Sequence, residues 1–223
     1  MTPKRRYTDL APRETHDRTA IARMRADSEI GKRSTDAKLA KRYTKADSPK
    51  FTTDEEVFFE PNSLIISRTD MRGTITYCND IFAKMSGWLK EELLGSNHNM
   101  IRHPDLPKIT YQLVWDCIKS KREFYGYVKN LRKDGGFYWV FAYITADLDE
   151  NGEIAGYTSS RRFAPEIAIK TMEPIYKLLL EAEKRGGIEE SKALLQTYLK
   201  KTGFASYDQF IVDLQIKANA SMQ

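Results

Sequence analysis

"EFYGYVKNLRKDGGFYWVFAYITADLDENGEIAGYTSSRRF", residues 123–163, reads as three β-strands joined by two hairpin turns. "KDGG" and "DENGE" supply the Gly, Asn and Asp that tight turns require. The runs between them, "EFYGYVKNLRK", "GFYWVFAYITADL" and "EIAGYTSSRRF", are rich in the aromatic and β-branched residues that suit a pleated surface.

Upstream, "SLIISRTD" and "TITYCN" flank the turn "MRG" and read as another hairpin. Short helices follow. In "NDIFAKMSGW", Ile81, Phe82 and Met85 fall at helical spacing and Gly87 ends the run. "LKEELLG" is a second short helix, closed by Gly95. "PKITYQLVWDCIKSKR" opens with Pro at a favourable first position and puts Ile109, Leu113 and Cys117 beside Tyr111, Val114 and Ile118 on adjoining faces. Thr53 and Glu56, three apart in "SPKFTTDEE", have capping-box spacing and predict a helix start there. Two strands, several short helices and three long antiparallel strands make an α+β pattern. One sheet is covered by helices on one face, and its concave side is the place for a ligand.

Beyond residue 164 the pattern is helical. "PEIAIKTMEPIYKLLLEAEKRGG" begins at a Pro and ends at paired Gly, with Ile167, Met172, Ile175, Leu178 and Leu179 as an apolar stripe. "IEESKALLQTYLKKTG" and "SYDQFIVDLQIKANA" read as two more helices, and apolar stripes on such helices pack on the domain or on another chain.

The 223 residues carry a net charge of +5, yet residues 1–50 alone hold fourteen Lys/Arg against seven Asp/Glu. That excess sits in a weakly patterned segment of mixed sign, with one helical patch at "ETHDRTAIARMRADSEIGK". It reads as a mobile or helical extension and not as a specific nucleic-acid surface. Cys78 and Cys117 lack metal-like spacing and, with no signal peptide, predict reduced thiols in a cytoplasmic chain. No apolar run is long enough to span a membrane. No nucleophile triad, metal cluster or glycine-rich phosphate loop is visible, so the expectation is a non-catalytic protein.

"NMIRHPDLP", residues 99–107, stands apart from these patterns. Two prolines disfavour helix, and three ionisable side chains are costly to bury unpaired. It is either a solvated loop tied by a local salt bridge or the wall of a pocket for something anionic.

Together with "NDIFAKMSGW", "VKNLRKDGGFYWV" and "GYTSSRRFAPEI", this run resembles the flavin-binding PAS domain of bacterial aerotaxis transducers, over about residues 60–180. The resemblance implies a PAS fold with a five-stranded antiparallel sheet. It also implies non-covalent FAD and a role in reporting redox or oxygen status to a chemoreceptor or other signalling protein. By resemblance Asn99, Arg102, His103, Asp105 and Trp115 fall on positions that hold the flavin. Asn130 matches a strand asparagine at the ring edge, and Phe124 stands where the family often has tryptophan.

The residue types suit such a ligand. Trp115, Phe124, Ile101 and Val128 can wall an apolar slot, Asn130 offers both donor and acceptor, and Arg102 is a forked cation for a pyrophosphate. Asp105 is expected to accept from the His103 imidazole and set its tautomer.

The expected division is a basic extension at 1–55, a PAS sensor at 56–164 and a helical output or association region at 165–223, with self-association through the flanking helices and a separate signalling partner. Two alternatives are a haem-binding gas sensor with His103 or His98 as axial ligand and a cofactor-free dimerisation module. Blue-light adduct chemistry needs a cysteine on the short helix where this chain has Asn97, His98 and Asn99.

Overall fold

β6 (Phe137–Leu148) is the strand around which the sheet is organised: it pairs antiparallel with both β5 (Phe124–Leu131) and β7 (Ile154–Phe163). In this computed structural model, which describes residues 5–7 and 41–221, β7 continues to β3 (Ile65–Thr69) and β3 to β4 (Ile75–Cys78). Five antiparallel strands therefore form the body of the sheet. Gly135, at φ +86, makes the tight turn between β5 and β6, a backbone region open to glycine without steric cost.

Two strands extend this body beyond the expected five. β1 (Arg5–Tyr7) lies parallel to β2 (Glu56–Phe58), and β2 meets the start of β6 through a parallel pair, Glu56 with Phe137. The helix expected from Thr53 and Glu56 is therefore a strand segment. Its backbone groups are taken by the neighbouring turn: the Thr53 N–H donates to the Gly135 carbonyl (2.8 Å) and the Phe137 N–H to that of Glu55 (2.9 Å). Bonds to a distant hairpin outweigh a local capping pattern.

Short helices cover one face. α1 (Asp80–Ser86) starts at Asn79, whose side-chain oxygen accepts from both the Phe82 and Ile66 N–H groups at 3.1 Å, fastening the helix to β3. It ends at Gly87 in the left-handed region. α2 (Lys90–Leu93) and a 3-10 turn at His98–Ile101 follow, then α3 (Lys108–Lys119), preceded by Pro107 as its cap residue.

Alternation along β6 sends Tyr138, Val140 and Ala142 toward the α1 side, into a core with Phe82, Met85 and Met100. Phe137 and Trp139 go to the opposite face, where they meet the terminal helices. The sheet is thus covered on both sides, by short helices on one and by α4 and α5 on the other. α4 (Glu166–Thr202) leaves helical geometry at Gly186 and Gly187, as the paired glycines predict, and α5 (Tyr207–Ala220) packs along β5. Of the expected stripe on α4, Met172, Ile175 and Leu179 are buried, whereas Ile167 and Leu178 are 48% and 56% exposed.

Both cysteines are free and buried, and burial pushes the Cys78 thiol up to about 11. The helical patch read at residues 14–32, and most of the basic extension, lie outside the described residues.

Candidate ligand-binding cavity

A cavity of about 300 Å³ opens between α3, the His98–Ile101 turn and the concave face of the sheet. Ile101, Val114, Trp115, Val128, Ile144 and Tyr157 give it apolar walls. The Asn97 side chain caps the turn by accepting from the Asn99 N–H at 3.0 Å, which holds Asn99 and His98 at the rim.

Arg102 follows that turn in extended conformation and bridges backbone to backbone with Asn130 of β5. Its guanidinium lies 4.1 Å from the centre of the Tyr111 ring and donates to the Leu106 carbonyl at 3.3 Å. The Lys45 ammonium donates to the Arg102 carbonyl at 2.6 Å. Burial, then the Arg102 charge, draws the Lys45 pKa below its usual value. The Arg102 cation among the lining residues favours an anionic visitor.

The deep end is built on Arg161, only 3% exposed. Its Nη2 donates to Ser67 Oγ at 2.8 Å and to His98 Nε2 at 2.6 Å. A guanidinium has no acceptor, so His98 Nε2 must accept and the imidazole is neutral. Burial, and then the Arg161 charge, brings the His98 pKa down to about 3, while burial brings Arg161 to about 10. Stacking on the Phe82 ring, 5.6 Å away and 8° from parallel, fixes the imidazole plane. Among the described residues no carboxylate lies within ion-pair distance of Arg161.

Three polar atoms of cavity-lining residues are buried with no hydrogen-bond partner: Asn130 Nδ2, Ser159 Oγ and Arg161 Nη1. Leaving such a group unmet costs about 1–3 kcal/mol, so three in one cavity call for an external partner. Two can only donate and the hydroxyl can do either, so they fit a flat ligand edge bearing acceptors.

Of the residues expected to bind, Asn99, Arg102, Trp115 and Asn130 line the cavity. His103, Asp105 and Phe124 do not. The extended backbone at Arg102 turns the next side chain away, and His103 is buried edge-on to Phe137, 5.8 Å between ring centres. The expected hydrogen bond from the imidazole to the Asp105 carboxylate is replaced by another: His103 Nδ1 accepts from the Asp105 backbone N–H at 3.1 Å. Burial and then Lys129 bring the His103 pKa down to about 4, so the 3.5 Å approach of the two side chains is not an ion pair at neutral pH. Asp105 instead holds Lys129 Nζ at 2.7 Å, and that ammonium lies 4.1 Å from the centre of the Phe137 ring. Phe124 stacks on Tyr207 of α5, with 6.1 Å between ring centres.

Sequence reasoning passed over Ser159 and Arg161. Their signal was present: two apart in "SSRRF", they share one face of β7, opposite Ser67 and Ile65 of β3. Polar residues on the face that buries the core are informative.

Residues 75–160 match the PAS fold family. The chain is 39% identical over 132 residues to the aerotaxis receptor of Escherichia coli, covering 59% of this chain and 26% of the receptor. It is 33% identical over 103 residues to the nitrogen fixation regulatory protein of Klebsiella pneumoniae, covering 46% of this chain and 21% of that one. It therefore spans about a quarter or less of the length of these relatives. A light-oxygen-voltage domain whose structure was studied with a flavin analogue superposes with a TM-score of 0.44 at 23% identity, over 49% of this chain and 82% of that chain. The antiparallel body of five strands and its short helices thus carry a match to the PAS fold over residues 75–160, and the chain is similar in sequence to the aerotaxis receptor.

Proposed function

We propose that the chain is a flavin-binding PAS sensor, with FAD as ligand. In this reading it reports redox or oxygen status to a chemoreceptor or another signalling protein through a change in conformation. The observation that carries the reading is the trio of unpaired buried atoms on Asn130, Ser159 and Arg161 in an otherwise apolar cavity. A flavin ring is flat and apolar over most of its area, with carbonyl oxygens along one edge, and those oxygens answer the donors present. At about 300 Å³ the cavity suits the ring system, leaving the remainder of a dinucleotide to pass the Arg102 margin. Flavin supplies the electron acceptor when bound. The chain's own residues exclude water, orient the edge and set the charge around it.

The likeness to the aerotaxis receptor supports the signalling role, and the name of the nitrogen fixation regulatory protein supports regulation as the general output. Residues 56–164 act as the sensor in this reading and residues 165–223 as the output region. No helix among the described residues is long and apolar enough to cross a membrane. The haem reading finds less support: His98 Nε2 is engaged by Arg161, and His103 lies outside the cavity.

The visible spectrum of the purified full chain, before and after dithionite, tests this. Flavin bands that bleach on reduction are expected. A chain that is colourless, and stays so with excess FAD, overturns the reading, and a Soret band replaces it with haem.

A further inference from the structure

α3 walls the cavity with Thr110, Tyr111, Val114, Trp115 and Ile118, yet its first turn is fastened from behind by the terminal region. Pro107 offers no side-chain cap, and the Ile109 N–H donates instead to the Glu183 carboxylate of α4 at 2.9 Å. That places a negative charge at the positive end of the helix. Next along, Thr110 is buried and lines the cavity.

Tyr176 is itself 2% exposed. Its hydroxyl donates to the Tyr127 carbonyl of β5 at 2.7 Å and lies 3.3 Å from the Tyr207 hydroxyl of α5. One phenol can donate once and accept twice, so it serves both neighbours at once. The ring is held flat against Trp139, at 7° between planes. Tyr127 makes a second link, its own hydroxyl donating to Gln215 of α5. β5 also carries Val128 and Asn130, which line the cavity. One cavity wall, β5, thus meets α4 and α5 at one buried oxygen, and the other, α3, is tied to the same α4 through Glu183.

We infer that Tyr176 is the junction that couples the cavity to the docking of α5. The inference rests on the cavity holding a ligand. A ligand that repositions β5 at Val128 and Asn130 alters the partners of the Tyr176 hydroxyl. That oxygen lies in an interior where a lost partner is not replaced by water. A 14-residue helix such as α5 is marginal alone, so its order depends on this docking. Ligand and docked helix then bias the same two-state element, each favouring the arrangement the other fits.

Hydrogen exchange on the full chain tests this, read at the α5 amides with flavin content measured in parallel. Tyr176→Phe removes the hydroxyl and keeps the ring; Tyr207→Phe removes the facing hydroxyl on α5 and guards against a failure of the first variant to fold. Thr171→Val, which loses only a bond to its own helix, serves as control. In wild type, adding FAD shifts exchange in α5. In Tyr176→Phe basal exchange rises several-fold and the FAD-induced shift is lost, with FAD still retained. An equal FAD-induced shift in wild type and Tyr176→Phe overturns the inference. Should wild type take up no FAD, the flavin reading falls by itself. The junction is then judged by basal exchange, which must rise in both Tyr176→Phe and Tyr207→Phe and not in the control; no rise overturns it.

Discussion

Arg161 Nη2 lies 2.6 Å from His98 Nε2, so a permanent cation occupies the nitrogen that a proton would need. His98 stays neutral in the fold with its pKa near 3, and His103 with its pKa near 4, against 6.5 for free imidazole. Below pH 6.5 the unfolded chain takes up protons that the folded one refuses, so stability is full above that pH and falls on acidification. Each such histidine costs about 1.4 kcal/mol per pH unit once well below 6.5. Carboxylates held low by partners, Asp105 and Asp134 among them, add to the loss only nearer pH 4. Thermal unfolding between pH 7.5 and 5 should therefore show a falling Tm, with a shallower slope in His98→Asn. A flat profile over that range would contradict the buried neutral imidazoles.

Ligand retention should separate neighbours in sequence. Arg102 lines the cavity and His103 does not. Arg102→Ala is expected to weaken flavin retention roughly 10–100-fold, the equivalent of one charge-assisted hydrogen bond. Trp115→Ala should act in the same direction through lost apolar wall. His103→Gln should leave the flavin-to-protein ratio near wild type. Equal losses for Arg102→Ala and His103→Gln, by absorbance after gel filtration, would remove the distinction.

Asp105 serves stability. Its carboxylate holds the Lys129 ammonium, whose side chain is 11% exposed and otherwise faces the Phe137 ring. Asp105→Ala leaves that ammonium poorly solvated and without its carboxylate, at about 1–3 kcal/mol. Restoring an apolar match with Lys129→Met in the double variant should recover part of the loss. Denaturant unfolding reads both, and a double variant no more stable than Asp105→Ala would argue against a stranded charge.

Much of this fold could be read along the chain because its signals are local. Gly87 and the "KDGG" and "DENGE" turns punctuate strands and helices that obey period 2 or 3.6, and the Gly186–Gly187 break in α4 was written in the composition. Thr53 and Glu56 misled because their capping pattern is local, whereas the groups that claim their backbone come from the β5–β6 turn. The site was legible in part for the same reason. "NMIRHPDLP" drew attention to the right loop, but adjacency in sequence hides that an extended backbone sends Arg102 and His103 to opposite sides. Ser159 and Arg161 sit in what reads as an ordinary strand end, and only the register with β3 reveals that they face the cavity.

Gly156 offers a last test, of the strand that carries those two residues. A Cβ there would come within 2.4 Å of the Thr69 carbonyl oxygen, a backbone atom that cannot swing aside. It lies where β7 pairs with both β3 and β6, beside the register shift at Asp147/Leu148. Gly156→Ala must spread β7 from β3, at about 2–3 kcal/mol for overpacking, or roughly 4–10 °C in Tm. Tyr157 and Ser159 follow directly and line the cavity, so flavin retention should fall along with stability. Gly152, in the preceding turn, is the control: nothing lies within 4 Å of its Cβ position, and its φ of +76 suits asparagine. Gly152→Asn should change neither Tm nor retention appreciably. Gly156→Ala with wild-type Tm would mean that β3 and β7 do not approach as closely as this packing requires.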